Sequence, residues 1–292
     1  MAKQTTRAGM DVKEKMYLVL VLCFAAMLIT VGAAFFIVRG LGSTTRQNDN
    51  TADSAAAQEP LVADSSYDKN QNTIDTNKYS STILEESADA GQSYVDETLF
   101  LGDSNTARMY RIFNYCSYDN AIGSVGMSGK SLATYACVQF QGYSGYKTMP
   151  EAVALMQPRR VILTFGTNDL SSSYSASSFA SDYAKGIKAV QDAYPNVDII
   201  VNAIPPLGQQ HSNQNLTQTQ VDEYNKALVQ MCQDNGWKFL NSAEVLKDSS
   251  TGYAKSGYVL SSDGIHLTEQ AMDALFTYIR THSYITEDTR PA

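Results

Sequence analysis

The chain predicts one α/β domain, a mostly parallel sheet covered by helices on both faces, with appendages at its N-terminal end. Three observations lead there. From residue 95 onward, short apolar runs alternate five times with longer segments of helical period. The longer segments carry apolar stripes at spacings of three and four, such as Phe179, Tyr183, Ile187 and Val190, or Val221, Tyr224, Leu228 and Met231. The 292 residues, 43% of them hydrophobic, suffice for one sizeable domain of this class.

The segments follow in chain order. Residues 16–38 run for 23 residues without a charge, and as a helix would extend roughly 34 Å, enough to cross a hydrocarbon core about 30 Å thick. A cleaved secretory signal has a shorter apolar region, about 7–15 residues. Leu22 stands before Cys23 where a lipoprotein site needs a small residue, so an uncleaved membrane anchor is expected. Lys3, Arg7, Lys13 and Lys15 precede it, against Arg39 and Arg46 beyond it. That bias puts residues 1–15 in the cytoplasm as a short tail and everything after residue 38 outside, on a single-pass chain. Residues 39–94 are rich in Ser, Thr, Asn, Asp, Gln and Ala and keep no period, which reads as a flexible solvated linker with room for a short helix around 81–90. Residues 95–292 form the folded domain. Its strands are expected at 98–101, 121–125, 161–165, 197–203 and 238–240, and its helices at 106–113, 150–156, 178–194, 218–235 and 268–281. Gly236 stands where the fourth helix needs a C-cap.

Charge and composition exclude several classes. The net charge of -8 divides into +3 for residues 1–39, -6 for 40–94 and -5 for the remainder. No block has the dense basic face of a nucleic-acid binder. Four cysteines without CxxC spacing and only three histidines argue against a structural zinc site, a disulfide scaffold or a His-rich metal centre, so neither metal nor cofactor is expected.

Sheets of this kind bind ligands at the carboxyl ends of their strands. There the first strand ends in Gly102-Asp103-Ser104-Asn105, the second in Ser124-Val125-Gly126-Met127-Ser128-Gly129, and the third in Gly166-Thr167-Asn168-Asp169. Asp263-Gly264-Ile265-His266 stands just before the last helix. Each alone is an ordinary turn or cap sequence. Together, and in this order, they supply the parts of an acyl-transfer site. Ser104, at a strand-to-helix turn, is the candidate nucleophile. His266 is the only histidine with an acid at a useful spacing. Asp263, three residues earlier, can hold the imidazole Nδ1–H and leave Nε2 to take the serine proton. The backbone N–H groups of Ser104 and Gly126 and the side-chain amide of Asn168 are candidate oxyanion donors.

With these blocks, residues 95–285 resemble an SGNH hydrolase, of the GDSL-type esterase/lipase superfamily. TLFLGDSNTAR, SVGMSGKSL, VILTFGTNDL and DGIHLT match its four blocks, which supply Ser104, Gly126, Asn168 and His266. Asn105 replaces the Leu of the name-giving motif, and Ser124 stands where many members have Asn. The resemblance implies a three-layer α/β/α sandwich with a five-stranded parallel sheet. It also implies a serine esterase acting through an acyl-enzyme. Joined to the expected location, it points to small acyl esters, O-acetyl groups above all, on cell-wall or other extracellular glycans. Acyl transfer to a glycan would use the same residues, and a non-catalytic wall-binding module would keep the fold without turnover.

Two decoys fail. GSVGMSGKS (123–131) ends like a P-loop, but Ser124 occupies the position of the first required glycine. The Gly-x-Ser-x-Gly elbow of α/β-hydrolases does not occur. Of the eighteen tyrosines, Tyr110, Tyr115, Tyr118, Tyr143 and Tyr146 gather near the expected mouth of the site, where they pack or stack on sugar rings.

Overall fold

The structure is a computed structural model that describes residues 62–63 and 67–290. The expected cytoplasmic tail and anchor, residues 1–38, lie outside the described residues. Among the described residues, no helix is long and apolar enough to cross a membrane.

The elements are β1 (Val62–Ala63), α1 (Gly91–Asp96), β2 (Thr98–Gly102), α2 (Ser104–Arg111), β3 (Ala121–Gly123), α3 (Met149–Met156), β4 (Arg160–Thr164), α4 (Ala176–Ala193), β5 (Asp198–Asn202), β6 (Gln210–His211), α5 (Gln218–Asn235), β7 (Lys238–Leu240), α6 (Ala243–Leu246) and α7 (Glu269–Thr281). Five strands form one sheet in the order β3-β2-β4-β5-β7, and every pair is parallel. The side-chain period of two sends Leu99, Leu101, Val161, Leu163, Ile199, Val201 and Phe239 to one face, where α3, α4 and α5 cover them. Phe100, Ile162, Ile200 and Leu240 point the other way, under α1, α2, α6 and α7. Strands buried on both faces read as continuous apolar runs, which is why VILTF and VDIIVNA carry no alternation. The three-layer parallel arrangement expected from the sequence is therefore present.

The expected linker is corrected over residues 67–94, which pack onto the domain. Tyr79, Leu84 and Tyr94 are buried in its core. Leu84 N–H donates to the Phe239 carbonyl, and Phe239 N–H to the Thr82 carbonyl, so residues 82–84 cover the outer edge of β7. Tyr67 donates to Asp222 at 2.6 Å, and Asp89 pairs with Arg280 at 3.0 Å. No helix forms over 81–90, because Ile83 is committed to an extended bridge with Phe239; the helix lies later, at α1. Single large anchors spaced by polar residues leave no period to read, yet each fills a place in the core.

Candidate active site

Ser104 is the first residue of α2, directly after β2. Asp103 caps that helix, its side chain accepting the Asn105 N–H at 3.0 Å. The helix seats tightly against β3 because residue 123 is glycine: a Cβ there would lie 2.2 Å from the Ala107 nitrogen. Strand register sets the neighbours. Gly102 lies beside Gly123 on one side and Thr164 on the other, so the segments after β3 and β4 leave the sheet on either side of Ser104. The first carries Gly126, on an exposed turn at φ 75°. The second carries Asn168.

His266 comes from an irregular loop before α7. Its Nε2 lies 3.0 Å from Ser104 Oγ, and its Nδ1 lies 2.7 Å from Asp263 Oδ2. The other oxygen of Asp263 accepts the backbone N–H groups of Ile265, at 2.7 Å, and His266, at 2.9 Å. Burial pushes this carboxyl up, but the bonds from the His266 ring and from the two backbone N–H groups outweigh it and hold it below its ordinary value. Asp263 therefore stays charged beside the imidazole. Gly264, at φ 65°, lets the loop turn against residues 210–211, where a Cβ would come 2.0 Å from the Gln210 carbonyl. Gly208 N–H and Ser212 N–H donate to the carbonyls of Gly264 and Asp263, both at 2.8 Å.

Ser104, His266 and Asp263 thus stand in one hydrogen-bonded line. Asn168 reaches the same place, but its amide donates to the Met127 carbonyl at 3.1 Å and to Asp103 at 3.3 Å. It ties the segments after β2, β3 and β4 together. Sequence reasoning passed over three residues of this site. Asp169 accepts the Gly129 N–H at 2.7 Å. Asn105 and Arg108 bond to the His266 loop. All three lie within or next to the matched blocks, and that proximity was the available signal. Among the described residues, no group of three or more His, Cys, Asp or Glu side chains is placed to hold a metal.

A profile of the GDSL-like Lipase/Acylhydrolase family matches residues 100–274, well over half of the chain. The chain belongs to this family. As a GDSL-like acylhydrolase it is a hydrolase acting on esters. Similar solved structures include a GDSL-like lipase from Bacteroides thetaiotaomicron, at 15% identity over 70% of this chain and 92% of that one, TM-score 0.48. A carbohydrate esterase family 3 protein from Talaromyces cellulolyticus has 17% identity over 62% and 93%, TM-score 0.43. An acetyl xylan esterase has 18% identity over 63% and 96%, TM-score 0.46. No curated protein sequence matches the chain.

The cap of the serine helix gives this acylhydrolase a testable pH dependence. Asp103 is buried, and burial pushes its carboxyl up to about 6, against the pull of the Asn105 N–H and of His266. An unfolded aspartate titrates near about 4. Between these values the folded protein keeps a proton that the unfolded chain has lost, so stability falls as pH rises through that window and levels off above it. Asp103→Asn keeps a capping acceptor and cannot ionise. Denaturant titrations at about pH 4.5 and about pH 7.5 should show wild type losing about 2 kcal/mol more than the variant across that interval. Equal losses in both proteins would mean that Asp103 titrates normally.

Proposed function

We propose that the protein is a membrane-anchored serine esterase that removes small acyl groups, O-acetyl above all, from glycans outside the cell. The observation that carries the chemistry is the Ser104–His266–Asp263 line, with 3.0 Å and 2.7 Å between successive partners. In this reading Ser104 Oγ attacks the ester carbonyl carbon while its proton passes to His266 Nε2. The N–H groups of Ser104 and Gly126 and one N–H of Asn168 receive the oxyanion, the amide turning one of its donors from its present partners to the substrate. His266 then returns the proton to the departing sugar oxygen, leaving the acyl group on Ser104. Water, deprotonated by the same imidazole, attacks the acyl carbon, and the carboxylic acid leaves with Ser104 restored. Asp263 orients the ring and stabilises the imidazolium throughout.

The glycan part of the reading is supported by the surface beside the site. Tyr118, Val125, Tyr135, Tyr143 and Tyr146 are each more than half exposed, and all five fall within 20 residues of Gly126 along the chain. A cavity of about 540 Å³ beside β3 is lined by Tyr110, Tyr118 and Phe140 together with Arg111, Gln139 and Gln141. Aromatic faces beside planar polar groups suit pyranose rings, which present apolar faces and hydroxyl edges. Among residues 124–131 and 165–170, Gly126, Lys130 and Asn168 are exposed beside one exposed apolar side chain, Val125, which offers little to a long acyl chain.

Kinetics on two substrates test this reading. Tyr143→Ala and Tyr146→Ala should together raise KM for an O-acetylated oligosaccharide about tenfold and leave p-nitrophenyl acetate unchanged. Equal effects on both substrates, or none on either, would remove the glycan surface. The anchor at residues 16–38 and the outward orientation rest on the sequence. A periplasmic-type reporter fused after residue 292 should be active, and a reporter active only in the cytoplasm would reverse the topology.

A further inference from the structure

Ser104 and His266 lie 162 residues apart in sequence, one on a helix and the other on a loop without regular structure. A 3.0 Å contact between them requires that loop and helix be tied together. The loop's internal bonds do not do this. Leu260 N–H donates to the His266 carbonyl, Gly264 N–H to the Leu260 carbonyl, and Ser212 N–H to the Asp263 carbonyl, which fixes the loop to itself and to residues 208–212.

The tie runs through Leu267. Its N–H donates to Asn105 Oδ1 at 2.9 Å, and its carbonyl accepts from Arg108 Nε at 3.2 Å. Both polar backbone atoms of the residue after His266 are thus held by side chains of the serine helix, one and four positions beyond Ser104. The Leu267 side chain is itself fully buried in the core on that face of the sheet. Asn105 is buried as well, so its amide has little freedom to exchange this partner for water.

We infer that Asn105 and Arg108 are positioning residues that hold the His266 loop on the serine helix through the Leu267 backbone. The proposal rests on the roles assigned to Ser104 and His266 above. Burial pulls the Arg108 guanidinium down from its ordinary value, and the Asp263 carboxylate pulls it back up.

The test uses the full-length protein with p-nitrophenyl acetate and a fluorophosphonate probe. Asn105→Leu fills the volume but leaves the buried Leu267 N–H unpaired. Arg108→Met keeps the stem and removes the donor and the charge, while Arg108→Lys keeps both. Asn105→Leu and Arg108→Met should each lower kcat about tenfold to a hundredfold with KM within about twofold, the size expected of a displaced catalytic group. Arg108→Lys, which keeps a donor and the charge, should restore most of kcat. In a His266→Ala background, neither substitution should slow the residual labelling of Ser104 further, because their effect passes through His266. The clamp is overturned if folded Arg108→Met keeps wild-type kcat, or if the substitutions act equally with and without His266. Should Asn105→Leu fail to fold, the half-buried Arg108 pair decides alone. Ser104→Ala serves as the separate control: full activity there would sink the reading of the site itself, whereas inactive Ser104→Ala beside unaffected clamp variants would sink only the clamp.

Discussion

Ser104→Ala is expected to lower kcat for p-nitrophenyl acetate by about a millionfold, with His266→Ala nearly as damaging and the two together no worse than either alone. The size follows from geometry. Ser104 Oγ has a base 3.0 Å away at His266 Nε2, and that base has its orienting carboxylate 2.7 Å away at Nδ1. Removing the hydroxyl removes the atom that forms the acyl ester, and removing the imidazole strands the hydroxyl's proton, so each change abolishes the same step. Neither side chain makes a large contribution to folding, since both lie at the half-open rim of the sheet, and KM and thermal midpoint should change little. A loss of less than about tenfold in either variant would mean that hydrolysis proceeds elsewhere on the protein.

A chain beginning at residue 95 is expected not to fold stably, whereas one beginning at residue 58, the start of the compact unit, should melt cooperatively. The shorter chain loses Tyr79, Leu84 and Tyr94, all buried, at about 2 kcal/mol each in transferred apolar surface. Their sum, about 6 kcal/mol, is comparable to the whole stability of an ordinary domain. It also strips residues 82–84 from β7, exposing the N–H and C=O groups of an edge strand to pairing with other chains. Far-UV circular dichroism melts and light scattering on the two chains check this. A sharp transition from the shorter chain, within a few degrees of the longer one, would show that residues 67–94 only lean on the surface.

The strand-helix alternation was legible because both the apolar runs and the stripes have a period. The fourth expected helix, 218–235, matches α5 at both ends, because Thr217 caps it and Gly236 closes it at φ 72°. Ser104, Asp263 and His266 were legible because the reaction demands those residue types, and the structure brings all three together. Residues 67–94 were not legible as part of the domain. Their anchors stand alone among polar residues, and the strand edge they cover lies about 155 residues further along the chain. Asn105 was visible only as a departure from Leu, and Arg108 only as the last residue of a matched block, since each bonds a backbone group of Leu267 that any residue there would present. The engagement of Asn168 with Met127 and Asp103 was hidden for the same reason: it depends on which strands are neighbours, and only the fold decides that.

The central claim is that Ser104 is the nucleophile and His266 its base. Reacting the full-length protein with a fluorophosphonate, then digesting it and locating the adduct by mass spectrometry, tests it most directly. One adduct on Ser104, formed far more slowly in His266→Ala, is the result expected here. A folded protein that takes no label, or takes it on another serine while Ser104 stays free, would contradict it.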